Sequence, residues 1–360
     1  MSPTTTTMKW ASLLAALLVA SLTQTSMAVI VVCKMDAIDG KILTGACIVG
    51  TNGAVTPLVG PGAGPQLLIN STIFYTLDVN ARSTLFECAS EDDMLIIDSS
   101  QYSSQTLNNC DPPLLELRGC SNAIFSNNTF TSITRSTAQP ACTISKYGPC
   151  VAIVGATSQV TDWSFSSLDN TFTSTGCASI AETSGRLGGA LALVRSASGG
   201  AMSALIKGST FTSTMCDFGG AIHSANVSLT LQSSTFTSTL STNGGAVDFN
   251  AAPPTAVHTQ KLLVDRSTFT SPTAVNTGGA IQVKGGVLTI KDSTFTNGAA
   301  LIGQCVWVNL ANCGSYTESE IVGNTWTGCA KRGSPPISWC REHDGNDWAT
   351  CGMEGPVECY

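Results

Sequence analysis

Between residues 200 and 300 the apolar positions fall on every second residue rather than every third or fourth. Ala204 and Ile206, Leu229 and Leu231, Leu262 and Val264, and Leu288 and Ile290 are each separated by one residue that is mostly polar or indifferent. A period of two marks a strand with one buried face, so each pair predicts a short strand. A second alternation follows the phrase Gly-Gly-Ala: Leu191 and Leu193, Val247 and Phe249, Ile281 and Val283. Gly219-Gly220-Ala221-Ile222 opens in the same way and then runs into His223 and Ser224. A third phrase, Thr-Phe-Thr, sets one ring between two hydroxyl residues, which predicts a very short strand with the ring on one side and both threonines on the other.

The phrases recur together, as STFTSTMCDFGGAI at 209–222, STFTSTLSTNGGAV at 234–247 and STFTSPTAVNTGGAI at 267–281. Aligned on the aromatic, the series is Phe130, Phe172, Phe211, Phe236, Phe269 and Phe295, with Trp326 as a degenerate seventh member. The separations are too irregular for helical-hairpin arrays of fixed period. A unit of three short strands cannot bury its apolar side alone, so copies must stack, each strand about 4.8 Å from its counterpart in the next copy. The expected fold is all-β, a coil of parallel strands with three short strands per rung. Phe172, Phe211, Phe236, Phe269 and Phe295 form an internal aromatic column, and glycines turn the corners. The variable stretches between the fixed phrases are expected as loops on one side.

At this point the chain resembles a known family. Gly-Gly-Ala-Ile paired with a Phe-centred motif is similar to the repeat of the polymorphic outer membrane proteins, and more broadly to right-handed parallel β-helices of the pectin-lyase-like class. The match is good over 188–298 and weaker back to 121. That family places Asn three residues after Phe, where this chain has Ile133, Thr175, Thr214, Thr239, Pro272 and Gly298. The resemblance implies a right-handed parallel β-helix, and a scaffold on which lyases and glycosidases also occur.

The ends have a different character. The apolar run ASLLAALLVASL at 11–22, followed by Ser26 and Ala28, is laid out as a cleaved secretory signal over 1–28. It is shorter than the roughly 20 residues of a membrane-crossing helix. Residues 29–120 are expected as an N-terminal cap with divergent rungs, 121–303 as the repeat β-helix, and 304–360 as a Cys-rich C-terminal cap stapled by disulfides. All 15 cysteines follow the expected cleavage point. Such a count in an exported chain predicts cross-linking, and the odd number leaves one thiol over, which permits a disulfide-linked homodimer. Asn70, Asn127 and Asn226 head glycosylation sequons. With 17 Lys plus Arg against 24 Asp plus Glu, no basic face for nucleic acid is expected, and no membrane span is expected in the mature chain.

Candidate chemistry is sparse. The strings that mark glycosidases of the resembling class, clustered Asp with Gly-His-Gly and Arg-x-Lys, do not occur. Glu91-Asp92-Asp93 reads as an exposed acidic turn. Asp265-Arg266 and Lys291-Asp292 read as rim ion pairs, and Lys207, Gln232, Asp265 and Lys291 stack no carboxylates. His223, His258 and His343 are dispersed, and His343-Asp344-Gly345-Asn346-Asp347 reads as a solvated loop. No catalytic residue, cofactor or metal site is expected. A sharper candidate is the pair of outward threonine files, Thr210 and Thr212, Thr235 and Thr237, Thr268 and Thr270, Thr294 and Thr296, extended by Thr129/Thr131, Thr171/Thr173 and Thr325/Thr327. The leading expectation is a secreted, non-catalytic β-helix of the cell wall, surface or matrix that contacts glycans or proteins through its side. A carbohydrate-active enzyme on the same scaffold is the alternative, and ice binding through the Thr-x-Thr files, which resemble the ice-contacting face of β-solenoid antifreeze proteins, is the third.

Overall fold

In the computed structural model the described residues are short strands between 32 and 107, then 113–118, 122–135, 147–155, 163–177, 185–195, 201–251, 260–309 and 320–329, with strands at 337–340 and 351–352. The expected signal segment, Asn70, the acidic triplet 91–93, His258 and the 343–347 stretch lie outside them.

One rung shows how the alternation becomes a coil. Ser228–Gln232 lies in a first sheet, Thr235–Thr237 and Leu240–Asn243 in a third, and Val247–Asn250 in a second. Each strand pairs in parallel with its equivalents on the rungs before and after. Leu229 sits beside Ala204 and Leu262, Phe236 beside Phe211 and Phe269, and Val247 beside Ile222 and Ile281. The three sheets hold 10, 12 and 12 strands, so nearly all of the chain's repeats join one parallel β-solenoid. Stacking crosses both ends of the repeat region: Leu115–Arg118 pairs with Thr84–Cys88, and Val306–Asn309 with Ile337–Cys340.

The rings form the expected column, fully buried from Phe130 to Phe295. Centroids of Phe172, Phe211, Phe236, Phe269 and Phe295 are 4.7–5.0 Å apart and their planes deviate by 3° or less. The column is one ring longer than the motif implies. Tyr102 stacks on Phe130 at 4.5 Å, and Trp326 closes the other end on Phe295 at 4.3 Å.

The residues that directly follow Thr-Phe-Thr continue in the same sheet as a bent arm rather than leaving it as a loop. In the rung Thr129–Arg135 both arms are one continuous strand. The bend is a single residue in the left-handed region: Ser132, Ser174, Ser213, Ser238, Ser271 or Asn297, with φ between 51° and 55°. Glycine does hold the next corner, where Gly219, Gly244 and Gly278 have φ of 63–65°. The Thr-Phe-Thr corners mostly use Ser, Asn and Asp, short polar residues that tolerate this region better than other side chains, with Gly208, Gly323, Gly328 and Arg266 at the rest. The stretches of variable length depart from the coil elsewhere. Residues 156–162, 196–200, 252–259 and 310–319 connect the second sheet to the first, 330–336 the third to the second, and 136–146 and 178–184 fall within the third-sheet arm, ahead of Tyr147 and Leu187, which bridge in line with Phe218.

An internal polar ladder is present, at a different position from that of the resembling family. It stands two residues before the ring: Asn128, Asn170, Ser209, Ser234, Ser267, Ser293 and Asn324. Backbone N–H groups donate to the side-chain oxygen of the following rung, from Asn128 to Asn170 Oδ1 at 2.8 Å, Ser234 to Ser267 Oγ at 3.2 Å, Ser267 to Ser293 Oγ at 3.1 Å and Ser293 to Asn324 Oδ1 at 2.8 Å. A buried corner amide without such a partner would cost about 1–3 kcal/mol, which is why this file stays polar inside an apolar core.

Among the described residues two disulfides tie neighbouring rungs, Cys177–Cys216 and Cys305–Cys329, the latter where the C-terminal cap is expected. Cys177–Cys216 closes a sequence separation of 39. The double substitution C177S/C216S is expected to lower unfolding free energy by about 3 kcal/mol, read from denaturant melts of the purified protein. Cys150 is unbridged and buried. Burial pushes its thiol up to about 12, against smaller opposing pulls from the Thr175 hydroxyl and the Arg135 guanidinium. Cys150 therefore cannot be the thiol that joins a second copy; ten cysteines lie outside the residues whose side chains are described. The folded protein keeps a proton that the unfolded chain releases near its ordinary value of 9.0, so this group favours unfolding as pH rises from there toward about 12. At pH 8 Cys150 is expected to resist iodoacetamide until the protein is unfolded, as peptide mapping of alkylated samples would register.

Candidate functional face

The outward threonines stack in register on seven consecutive rungs. Thr129, Thr171, Thr210, Thr235, Thr268, Thr294 and Thr325 form one file, and the residues two positions on, Thr131 to Thr327, form the other. Because Phe points inward, both neighbours must point outward. The threonines are half-buried except for Thr325 and Thr327 at the end, which are exposed. Partial burial follows from neighbours above and below covering each side chain's flanks. The files are about 6.7 Å apart along the strand and repeat about every 4.8 Å along the rod.

The borders of this face are tight. In every described rung a two-residue corner separates it from the first sheet, and one or two residues separate it from the bent arm. Apart from 330–336, which follows Cys329 on the terminal rung, none of the connecting stretches of variable length begins or ends at either border. On the first-sheet side the corner residues include Asp169, Arg266 and Asp292. Arg266 donates from Nε and from an Nη nitrogen to Asp265 Oδ2, at 3.1 and 2.8 Å, and Gln232 donates to the same oxygen. The Arg266 guanidinium thereby holds the Asp265 carboxyl below its ordinary range, and Lys291, paired with Glu320 at 2.7 Å, is raised by that partner. The rim is thus a set of surface ion pairs, each contributing little to stability. Its register, Lys207 beside Gln232 beside Asp265 beside Lys291, brings no two carboxylates together.

His223 does gain a partner that sequence spacing did not reveal. His223 and Asp248 occupy equivalent places on adjacent Gly-Gly-Ala strands, Nδ1 to Oδ2 at 2.8 Å, both buried. Gln282 on the next rung donates to the other carboxylate oxygen at 2.9 Å. Aligning the residue after each Gly-Gly-Ala-apolar phrase would have exposed the pair. Among the described residues no group of three His, Cys, Asp or Glu side chains converges as a metal site would require, and no helix is long and apolar enough to cross a membrane.

Of the sequon asparagines, Asn127 is exposed, in a left-handed corner at the edge of the threonine face, two residues before Thr129. Asn226 is half-buried, and its Nδ2 donates to the Arg195 carbonyl at 3.0 Å, a bond that a glycan on the same nitrogen would disturb.

No family model, curated protein or solved structure matches this chain.

Proposed function

We propose that this is a secreted, non-catalytic β-solenoid that works as an extracellular scaffold, applying its threonine face to an extended surface of regular spacing such as a glycan or protein matrix. The observation that carries the reading is the register of Thr129–Thr327 on seven rungs. A rod this regular gains nothing for a small solute but multiplies weak contacts against a repeating one. The disulfides support an oxidising compartment, hence export. Kinship with polymorphic outer membrane protein repeats belongs to the same proposal, as does any disulfide-linked dimer, which would use a cysteine other than Cys150.

The test is sedimentation of the secreted protein with a panel of insoluble polysaccharides and matrix fibres. Wild type is expected in the pellet of at least one of them, and Thr237→Lys is expected to weaken retention about tenfold by placing a charge in mid-face. Retention unchanged by that substitution, or release of reducing sugar or unsaturated product from any uronate polymer, would overturn the reading.

A further inference from the structure

Resting on that reading of the threonine face, we infer that the surface it fits is crystalline water, so that the protein is an ice binder. The face offers one methyl and one hydroxyl at each of its positions and nothing else. The rings between the paired threonines are fully buried from Phe130 to Phe295, so over those rungs the files present no ring for stacking against a sugar, and neither file carries an amide or a charge. The charged corner nearest mid-face, Arg266, is held against Asp265 on the first-sheet side. Aromatic platforms and planar polar groups favour individual sugar rings, whereas a neutral array of hydroxyls and methyls also suits a neutral lattice of hydroxyl donors and acceptors.

The spacing supports the same choice. Water molecules hydrogen-bonded at about 2.75 Å in tetrahedral geometry put second neighbours about 4.5 Å apart. The rung repeat of about 4.8 Å exceeds this by about 0.3 Å, so over six intervals the drift stays under about 2 Å, less than half a lattice step. Across the strand, the files at about 6.7 Å compare with a layer repeat of about 7.3 Å for the same hydrogen-bond length, a single offset that side-chain rotation can absorb. A lattice match must be flat as well as periodic. Flatness is what the tight corners supply: eleven of the twelve non-glycine residues in the left-handed region border this face, Asn226 being the other. Holding a non-glycine residue there costs about 1 kcal/mol or more, and here that cost turns the chain sharply on either side of each Thr-Phe-Thr segment.

The experiment measures partition of the secreted protein into a slowly grown ice hemisphere, together with thermal hysteresis, for wild type, Thr237→Lys and Thr230→Lys. Thr230 is an outward, half-buried residue of the first sheet and controls for added charge alone. Wild type and T230K are expected to be enriched in the ice, and T237K depleted about tenfold. Thr212→Lys, one rung earlier, repeats the test should T237K fail to fold by circular dichroism. Wild type excluded from ice but held on a polysaccharide in a T237K-sensitive way would overturn ice as the ligand and leave the scaffold reading standing. Exclusion from ice with no T237K-sensitive binding to any solid overturns both, and ice binding that T237K and T212K leave intact would overturn this face as the site.

Discussion

Phe236→Ala is expected to lower the unfolding free energy by about 5 kcal/mol. The ring is fully buried and lies between Phe211 at 4.8 Å and Phe269 at 4.7 Å. Truncating a buried Phe costs about 3–5 kcal/mol in lost transfer energy and residual cavity, and each lost ring contact adds about 0.5–1.5 kcal/mol. The void cannot collapse, because the strands on both sides are held by backbone bonds to their own neighbours. In a solenoid each rung touches only the next, so a break in mid-column separates two halves that still hold together within themselves. Denaturant melts followed by circular dichroism should therefore show a lower midpoint and a second transition. Trp326→Ala, at the column's half-buried end with Phe295 on one side, should cost only about 2 kcal/mol and leave a single transition.

Gly245→Ala should be nearly as damaging although it adds one carbon. A Cβ there would lie 1.8 Å from the Gly279 carbonyl oxygen and 2.7 Å from that of Thr273. Both are backbone atoms of the next rung, fixed by hydrogen bonds such as Gly245 N–H to Gly278 O at 2.9 Å and Ala246 N–H to Ala280 O at 2.8 Å. Relief requires the rungs to part locally, sacrificing several of these bonds and the apolar contacts beneath, for about 4 kcal/mol. The comparison is Gly185→Ala. Its φ is +60° but nothing lies within 4 Å of the added carbon, so only the conformational penalty of about 1 kcal/mol applies. Equal losses in the two variants would show that backbone conformation, not rung-to-rung approach, is what demands glycine. The yield of folded protein and its melting temperature report the difference.

The period-two pairs, the Phe series and the Gly-Gly-Ala phrases carried the architecture legibly, because alternation directly encodes which side of a strand is buried. The same logic placed the threonines outside and Phe inside before any coordinates. Tyr102 escaped because Gln101-Tyr102-Ser103 keeps the ring but loses both threonines. The inner file of Asn and Ser escaped for another reason. Its residues flank a motif that reads as surface, and only the closed coil turns that corner inward, where the next rung's amide needs an acceptor.

By itself, then, the amino-acid order determined that there would be strands, which face of each would be buried, and that the copies had to stack to hide it. What it could not determine was where the inserted segments would leave the coil, that Ser238 and its equivalents would bend a strand where a loop was expected, or that His223 would meet Asp248 across 25 residues. Those outcomes depend on distances between rungs, and rung-to-rung contact is a property of the closed stack that no single repeat possesses. The clean threonine face arises in the same way: the residues were written one rung at a time, and only parallel register made them a surface.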